Sequence, residues 1–204
     1  MIDQILKVLD PVVLINTLGL AGVISIIFAE SGLFFGFFFP GDSLLFTAGL
    51  FASQGFFNIY ILLAGSFFAA VLGDNFGYWF GKKIGPKIFT REDSFFFHKK
   101  HIERAQKFYE KYGNKTIILA RFVPIVRTFA PILAGVASMK YSKFISYNIV
   151  GGFFWSFGVT LLGYVLGNII PNVDRFLLPI IALIIVVSFA PIIFEYLKEK
   201  KKNK

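Results

Sequence analysis

Cysteine is absent from the 204 residues, which excludes disulfides, Cys-ligated zinc and thiol catalysis. The absence leaves the compartment open, since it fits oxidising and reducing surroundings alike. Charge is scarce as well: Asp, Glu, Lys and Arg make up 16% of the chain, against about 25% in an ordinary globular domain. The chain has no P-loop and no membrane phosphotransferase pattern. It also lacks a basic leader followed by a small-residue cleavage site, so no signal peptide is expected. These gaps exclude a secreted disulfide scaffold, a disordered tail and a typical nucleic-acid binder.

What fills the chain instead is apolar. Hydrophobic residues account for 56%, Phe alone occurs 28 times, and the mean hydropathy is +0.69. The apolar runs are too long for a soluble core, so the chain reads as an integral membrane protein. The net charge of +9 sits in two places. Lys82 to Lys115 carries ten basic and four acidic residues, and Glu195 to Lys204 five basic and two acidic; the rest sums to zero. Basic segments beside apolar spans face the cytoplasm, which assigns both regions inside and reads their charge as orientation and headgroup attraction rather than nucleic-acid binding.

Along the chain, residues 1–10 read as an interfacial lead-in helix. Val12 to Ala29 is long enough to span and is closed by Glu30. Ser31 to Phe39 gives about 13 Å of helix before Pro40 and Gly41 break it, enough for the bilayer midplane and no further. Ser43 to Ala52 can then return, so residues 30–53 are predicted to form a re-entrant hairpin with Asp42 at its tip. Phe56 to Phe80 spans fully. The loop 82–115 holds Ile102, Ala105, Phe108 and Tyr109 at helical spacing among charges, the pattern of a cytoplasmic amphipathic surface helix. Residues 116–139 are apolar but interrupted by Arg121, Pro124, Arg127 and Pro131. Phe144 to Gly167 and Phe176 to Phe194 are two further spans, and residues 195–204 form a basic cytoplasmic tail.

Parity decides what residues 116–139 do. If they crossed, Lys140, Lys143 and the Lys-rich tail would lie outside, against the positive-inside rule. As a second hairpin broken at Pro124 and Pro131, they leave every basic cluster and both termini cytoplasmic. The expected fold is therefore an all-α polytopic membrane protein forming one domain over 1–204. It has four spanning helices, two opposed re-entrant hairpins and amphipathic interfacial helices. Hairpins entering from opposite faces form a weak inverted repeat, the arrangement that places transport sites at the midplane.

Intramembrane charge is expensive, at about 2.5–3.5 kcal/mol per Asp or Arg near a span centre, and five residues carry it: Glu30, Asp42, Asp74, Arg121 and Arg127. The bland reading is an ion-pair set that holds the hairpins together. The functional reading makes Arg121 and Arg127 a phosphate clamp, brought together by a break at Pro124, and Glu30 and Asp42 proton carriers. Arg suits phosphate because its planar fork donates two parallel hydrogen bonds, and a carboxyl out of water can exchange protons in the physiological range. Asp74 belongs to a stripe of Gly73, Gly77, Gly81 and Gly85 that permits close helix contact; with Tyr78 it could line a cytoplasmic vestibule. Two signals carry little. Gly41-Asp42-Ser43-Leu44 spells a serine-esterase signature, but neither His98 nor His101 has the required Asp three residues before it. The same histidines at i, i+3 sit on a basic surface without further ligands, so no metal or cofactor is expected.

Glu30 with FFFPGD (Phe37 to Asp42), GDNFGYWFGKKIG (Gly73 to Gly85) and ARFVPIVRTFAPILAGVASM (Ala120 to Met139) resemble the DedA family of bacterial inner-membrane proteins, also described as SNARE-associated or VTT-domain proteins. The resemblance covers roughly residues 20–165. It implies two opposed re-entrant loops, proton-dependent envelope homeostasis, and flipping of lipids such as undecaprenyl phosphate or phosphatidylethanolamine. By position it makes Glu30 and Asp42 the family's essential acids and Arg121 and Arg127 its essential arginines. The expected function is a proton-dependent lipid translocase or scramblase in the bacterial plasma membrane rather than an enzyme. Its expected partners are protons and phosphate-headgroup lipids, with no nucleic acid and with homo-oligomers left open. A proton-coupled ion or drug antiporter would use the same acids without an arginine clamp, and a non-transporting assembly factor would need no buried charge.

Overall fold

The structure, a computed structural model, describes residues 10–33, 36, 39–89, 117, 118, 121 and 124–170. The lead-in before Asp10, the amphipathic helix expected after Phe89, the span at 176–194 and the tail at 195–204 lie outside the described residues. Among those described, five α-helices occur and no strand: α1 Pro11–Gly32, α2 Gly41–Ser53, α3 Ile59–Phe89, α4 Pro124–Val136 and α5 Tyr141–Ile169. Helix α1, residues Ile59–Ile84 of α3, and α5 are long and apolar enough to cross a membrane.

Each helix begins for a local reason. Asp10 caps α1, its Oδ1 accepting from Val12 N at 2.8 Å and Val13 N at 3.4 Å, and Pro11 at the first position loses no helical hydrogen bond. Asn58 does the same for α3, accepting from Tyr60 N at 2.9 Å. Helix α1 is kinked at Gly19, whose φ of 61° and ψ of −159° lie where only glycine sits without strain. The break after Gly32 is real: Leu33 is extended, and Pro40 precedes α2 with φ −86° and ψ 56°. Pro124 opens α4. Pro131, expected to be a second break, lies inside α4 instead. A proline removes one hydrogen bond and tends to kink a helix, yet with apolar neighbours to pack against, this one is carried through.

The directions of the helices follow from which residues meet. Tyr78 stacks on Phe144, Asn148 bonds the Val71 carbonyl, and Phe67 meets Phe157, so α3 and α5 are antiparallel. Asp42 meets Trp155 and Ser53 meets Gly167, so α2 runs parallel to α5. Ile24 lies at Gly65 and Gly32 at Gly73, so α1 runs parallel to α3. That corrects the sequence reading, in which α1 crosses as an independent span opposite to α3 and the hairpin starts only at Glu30. Apolar length does not encode direction. Helix α1 continues through Glu30 to Gly32, and α2, about 20 Å long at 1.5 Å per residue, runs back antiparallel to it. The ground for placing the chain's start on the same side as Lys82 goes with it.

A repeat emerges from the contacts. A Cβ at Gly49 would lie 2.1 Å from the Thr160 carbonyl and one at Gly163 2.0 Å from that of Phe46. On the other side, a Cβ at Gly135 would lie 2.1 Å from the Tyr78 carbonyl and one at Gly81 2.0 Å from that of Ile132. The two seams superpose in sequence: Phe46 and Gly49 stand in α2 as Ile132 and Gly135 stand in α4, and Tyr78 and Gly81 in α3 as Thr160 and Gly163 in α5. The repeat unit is thus an arm followed by a long helix, and each arm packs on the long helix of the other unit. Small residues allow this backbone contact, which is the main source of helix association where lipid removes the hydrophobic drive.

Candidate functional site

The first turns of α2 and α4 meet between α1 and α5, and the charged residues collect there. Arg127 Nη2 donates to Glu30 Oε1, and Nη1 donates to Asp42 Oδ1 at 2.8 Å. The side chains of Arg127 and Glu30 are 1% and 3% exposed, and that of Asp42 is 21% exposed. One guanidinium thus splits its fork between two carboxylates from two elements. Trp155 of α5 closes the set: its Nε1 donates to Asp42 Oδ1 at 2.7 Å, and its ring lies under Arg127, 4.3 Å from Cζ to centroid. Thr128 donates to the Glu30 carbonyl at 3.4 Å.

Proline, glycine and aspartate at 40–42 each have a task here. Pro40 ends the break. Gly41 makes room, because a Cβ there would fall 1.4 Å from Glu30 Oε2. Asp42, in the first turn of α2, reaches Arg127. Both acids stand at the N-terminal end of α2. Ser43, the nucleophile of the apparent esterase signature, is buried and donates to the Pro40 carbonyl at 3.0 Å.

Arg121 does not join Arg127. Its Nη2 donates to Asp74 Oδ2 of α3 at 2.5 Å and to Asn148 Oδ1 of α5, with the Ala70 carbonyl at 3.5 Å. Asn148 is oriented by donating to the Val71 carbonyl at 3.0 Å. Gly151 and Gly152 of α5 leave the trough in which the Arg121 side chain lies. The expected shared clamp is therefore two separate ion-pair groups, each arginine held by acids from another helix. They are close enough to interact, since Arg127 is also within electrostatic reach of Asp74. Arg121 Nε and Nη1, Arg127 Nε and Asp74 Oδ1 are buried with no hydrogen-bond partner among the described residues.

Asp74 and Tyr78, expected to line a vestibule, are each 1% exposed. The Tyr78 hydroxyl donates to the Met139 carbonyl at 2.5 Å, and its ring stacks on Phe144 at 4.5 Å. Among the described residues, the seam at Gly81 and Gly135 packs α4 directly on α3 beside both side chains. An open apolar groove of about 580 Å³ lies instead on the outer side of α3, between Phe28, Phe76, Trp79 and Lys83, away from the ion pairs. Among the described residues no group of three His, Cys, Asp or Glu could hold a metal ion.

Sequence reasoning singled out all five charged residues but missed Trp155 and Asn148. Both are neutral residues in an apolar span, and the only signal was that a buried indole N–H or amide must find a partner.

Comparisons with known proteins place the chain among membrane proteins. The VTT domain profile matches residues 39–165. An uncharacterized membrane protein of Mycobacterium leprae is 46% identical over 172 residues, covering 84% of this chain and 77% of that protein. Another, of Mycobacterium tuberculosis H37Rv, is 45% identical over 192 residues, covering 90% and 84%. Protein DedA of Escherichia coli K12 is 43% identical over 178 residues, covering 86% and 81%. No solved structure matches. With apolar helices able to cross a membrane, a VTT domain over most of its length and this identity to protein DedA, the chain belongs to the DedA family of VTT-domain membrane proteins.

Proposed function

We propose that the protein moves phosphate-bearing lipids, undecaprenyl phosphate or a phospholipid, between the leaflets of a bacterial plasma membrane, and that protons bound at Glu30 and Asp42 drive or gate the movement. The observation that carries the reading is the convergence of both acids on the single buried guanidinium of Arg127. With Asp74 and Arg121 added, the described set holds three carboxyls, that of Asp42 part-exposed, against two guanidiniums, so one bound proton makes it neutral. A lipid phosphate that enters brings its own negative charge and competes with the carboxylates for the arginines. A proton arriving on a displaced carboxyl compensates that charge, and this exchange links the two movements. Arg121 Nε and Nη1, without partners among the described residues, are donors on hand for such a phosphate. In this reading the protein is a transporter and not an enzyme, with the end of the bundle at Lys82, Lys83, Lys140 and Lys143 in the cytoplasm.

One observation favours a second reading, a proton-coupled ion or drug antiporter. The arginines are held apart in separate groups rather than forming one clamp, and an antiporter needs only the acids. Reconstitution in liposomes with a panel of labelled lipids, with and without a pH gradient, separates the two. Gradient-dependent flipping of anionic phospholipids supports the translocase. Proton movement driven by a small cation or drug, with no lipid flipped, supports the antiporter.

A further inference from the structure

Trp155 is a large neutral side chain that touches both members of the Asp42–Arg127 pair, and it is 1% exposed. Its two contacts are of different kinds. The indole N–H, a donor with no acceptor function, bonds Asp42 Oδ1, the same oxygen that accepts from Arg127. The ring face lies against Arg127 Cζ, a contact in which the quadrupole of the ring, not a hydrogen-bond acceptor, attracts the cation. A carboxylate or phosphate binds a guanidinium at its edge, in the plane of its N–H donors. An incoming anion therefore competes with Asp42 and Glu30 for Arg127, but it does not compete with the indole.

We propose that Trp155 is the positioning residue of the site, a pivot that keeps hold of Arg127 through its ring and of Asp42 through its N–H while a lipid phosphate takes the carboxylate's place at the edge of the guanidinium. This deepens the translocase reading and rests on it. The anchorage comes from the fold. Trp155 lies on α5 eight residues before Gly163, whose contact with the Phe46 carbonyl fixes α5 against α2, the helix that carries Asp42. The groups whose charge reaches the pivot are Glu30 from α1, Asp42 from α2, Asp74 from α3, Arg121 from the turn before α4, and Arg127 from α4. The bland alternative is a core tryptophan that merely fills space.

The chain has two tryptophans, the other being Trp79, which is exposed. Full-length protein labelled with 15N-tryptophan in phosphatidylglycerol nanodiscs should give two indole N–H resonances, and Trp79→Phe assigns them. The Trp155 resonance is expected to shift on Asp42→Asn and to follow pH, while the Trp79 resonance does not. In liposomes, Trp155→Phe keeps an aromatic ring and removes the donor. Measured at a temperature where the variant is fully folded, it should slow flipping of labelled phosphatidylglycerol about tenfold, the order expected for losing a hydrogen bond to a charged group. It should also displace the pH profile. Wild-type rate and profile in Trp155→Phe would overturn the pivot while leaving the translocase reading intact. A wild-type protein that flips no lipid would overturn the translocase reading, and the pivot for lipid phosphate with it. A Trp155 resonance indifferent to both Asp42→Asn and pH would overturn the pivot by itself.

Discussion

Gly41 holds open the space that the Glu30 carboxylate fills: a Cβ on residue 41 would lie 1.4 Å from Glu30 Oε2. The carboxylate is the far end of a flexible chain, but it is not at liberty to swing away, because its other oxygen is bonded to Arg127. Gly41→Ala is therefore expected to push Glu30 off Arg127, lowering stability by about 1–3 kcal/mol as a buried polar group loses its partner and abolishing pH-dependent transport. Thermal melting in detergent and the liposome assay check both. A Gly41→Ala protein with wild-type melting and transport would show that the contact is not needed.

Arg127 and Arg121 should respond differently to Lys. One ammonium cannot hold Glu30 and Asp42 at the two ends of a planar fork, so Arg127→Lys is expected to lose most transport. Arg121 holds Asp74 and Asn148 through Nη2 alone, a contact that a lysine reproduces in part, so Arg121→Lys should be the milder structurally. Equal melting temperatures for the two Lys variants would contradict this.

The Asp74–Arg121 pair lends itself to a double-mutant cycle. Breaking a buried pair by removing one partner costs about 3–5 kcal/mol, because the other charge stays behind. Asp74→Asn and Arg121→Gln alone should each destabilise strongly, and the double variant less than either. Additive losses in equilibrium unfolding would mean that the two side chains act independently.

Asp42→Asn takes one carboxyl out of the set and leaves two acids against two arginines. Transport by this variant is expected to lose its pH dependence, whereas Asp42→Glu keeps a titratable group and partial activity. Measuring flipping across the physiological pH range decides it; an Asp42→Asn profile like that of the wild type would remove Asp42 from proton exchange.

Orientation can be tested with single cysteines, since the chain has none of its own. Ser142→Cys lies at the end of the bundle assigned to the cytoplasm and Gln54→Cys at the opposite end, before α3. In intact cells an impermeant thiol reagent should label the second and not the first. The reverse pattern would invert the assignment.

How much of this could be read from the sequence depends on the kind of force involved. Apolar runs and their breaks are local, so the helices and the break before Gly41 were legible, as were the charged residues, whose cost in a membrane makes them conspicuous. Pairing was not. Arg121 and Asp74 are 47 positions apart with no periodicity to connect them, and the Gly-Gly trough at 151–152 makes sense only once Arg121 lies in it. The glycine stripe of α3 was visible, but its partner, Gly135 of α4, was not, because a contact surface needs both halves to be recognised. The direction of α1 was misread for a similar reason: a span reads as equally apolar whichever way it runs.

The exchange of arms between the two repeats determines what can move. Rocking the first sequence half against the second, the usual motion imagined for inverted repeats, would pull α2 from α5 and α4 from α3, two of the three places where backbone lies on backbone, the third being Gly32 of α1 on Gly73 of α3. A motion that keeps all three seams would carry α2 with α5 as one body and α1 and α4 with α3 as the other, each assembled from both halves of the chain. The Asp42–Trp155 bond falls inside one body, whereas Asp42–Arg127 and Asn148–Arg121 bridge the two. Any opening along this boundary must therefore break charged contacts in both ion-pair groups at once.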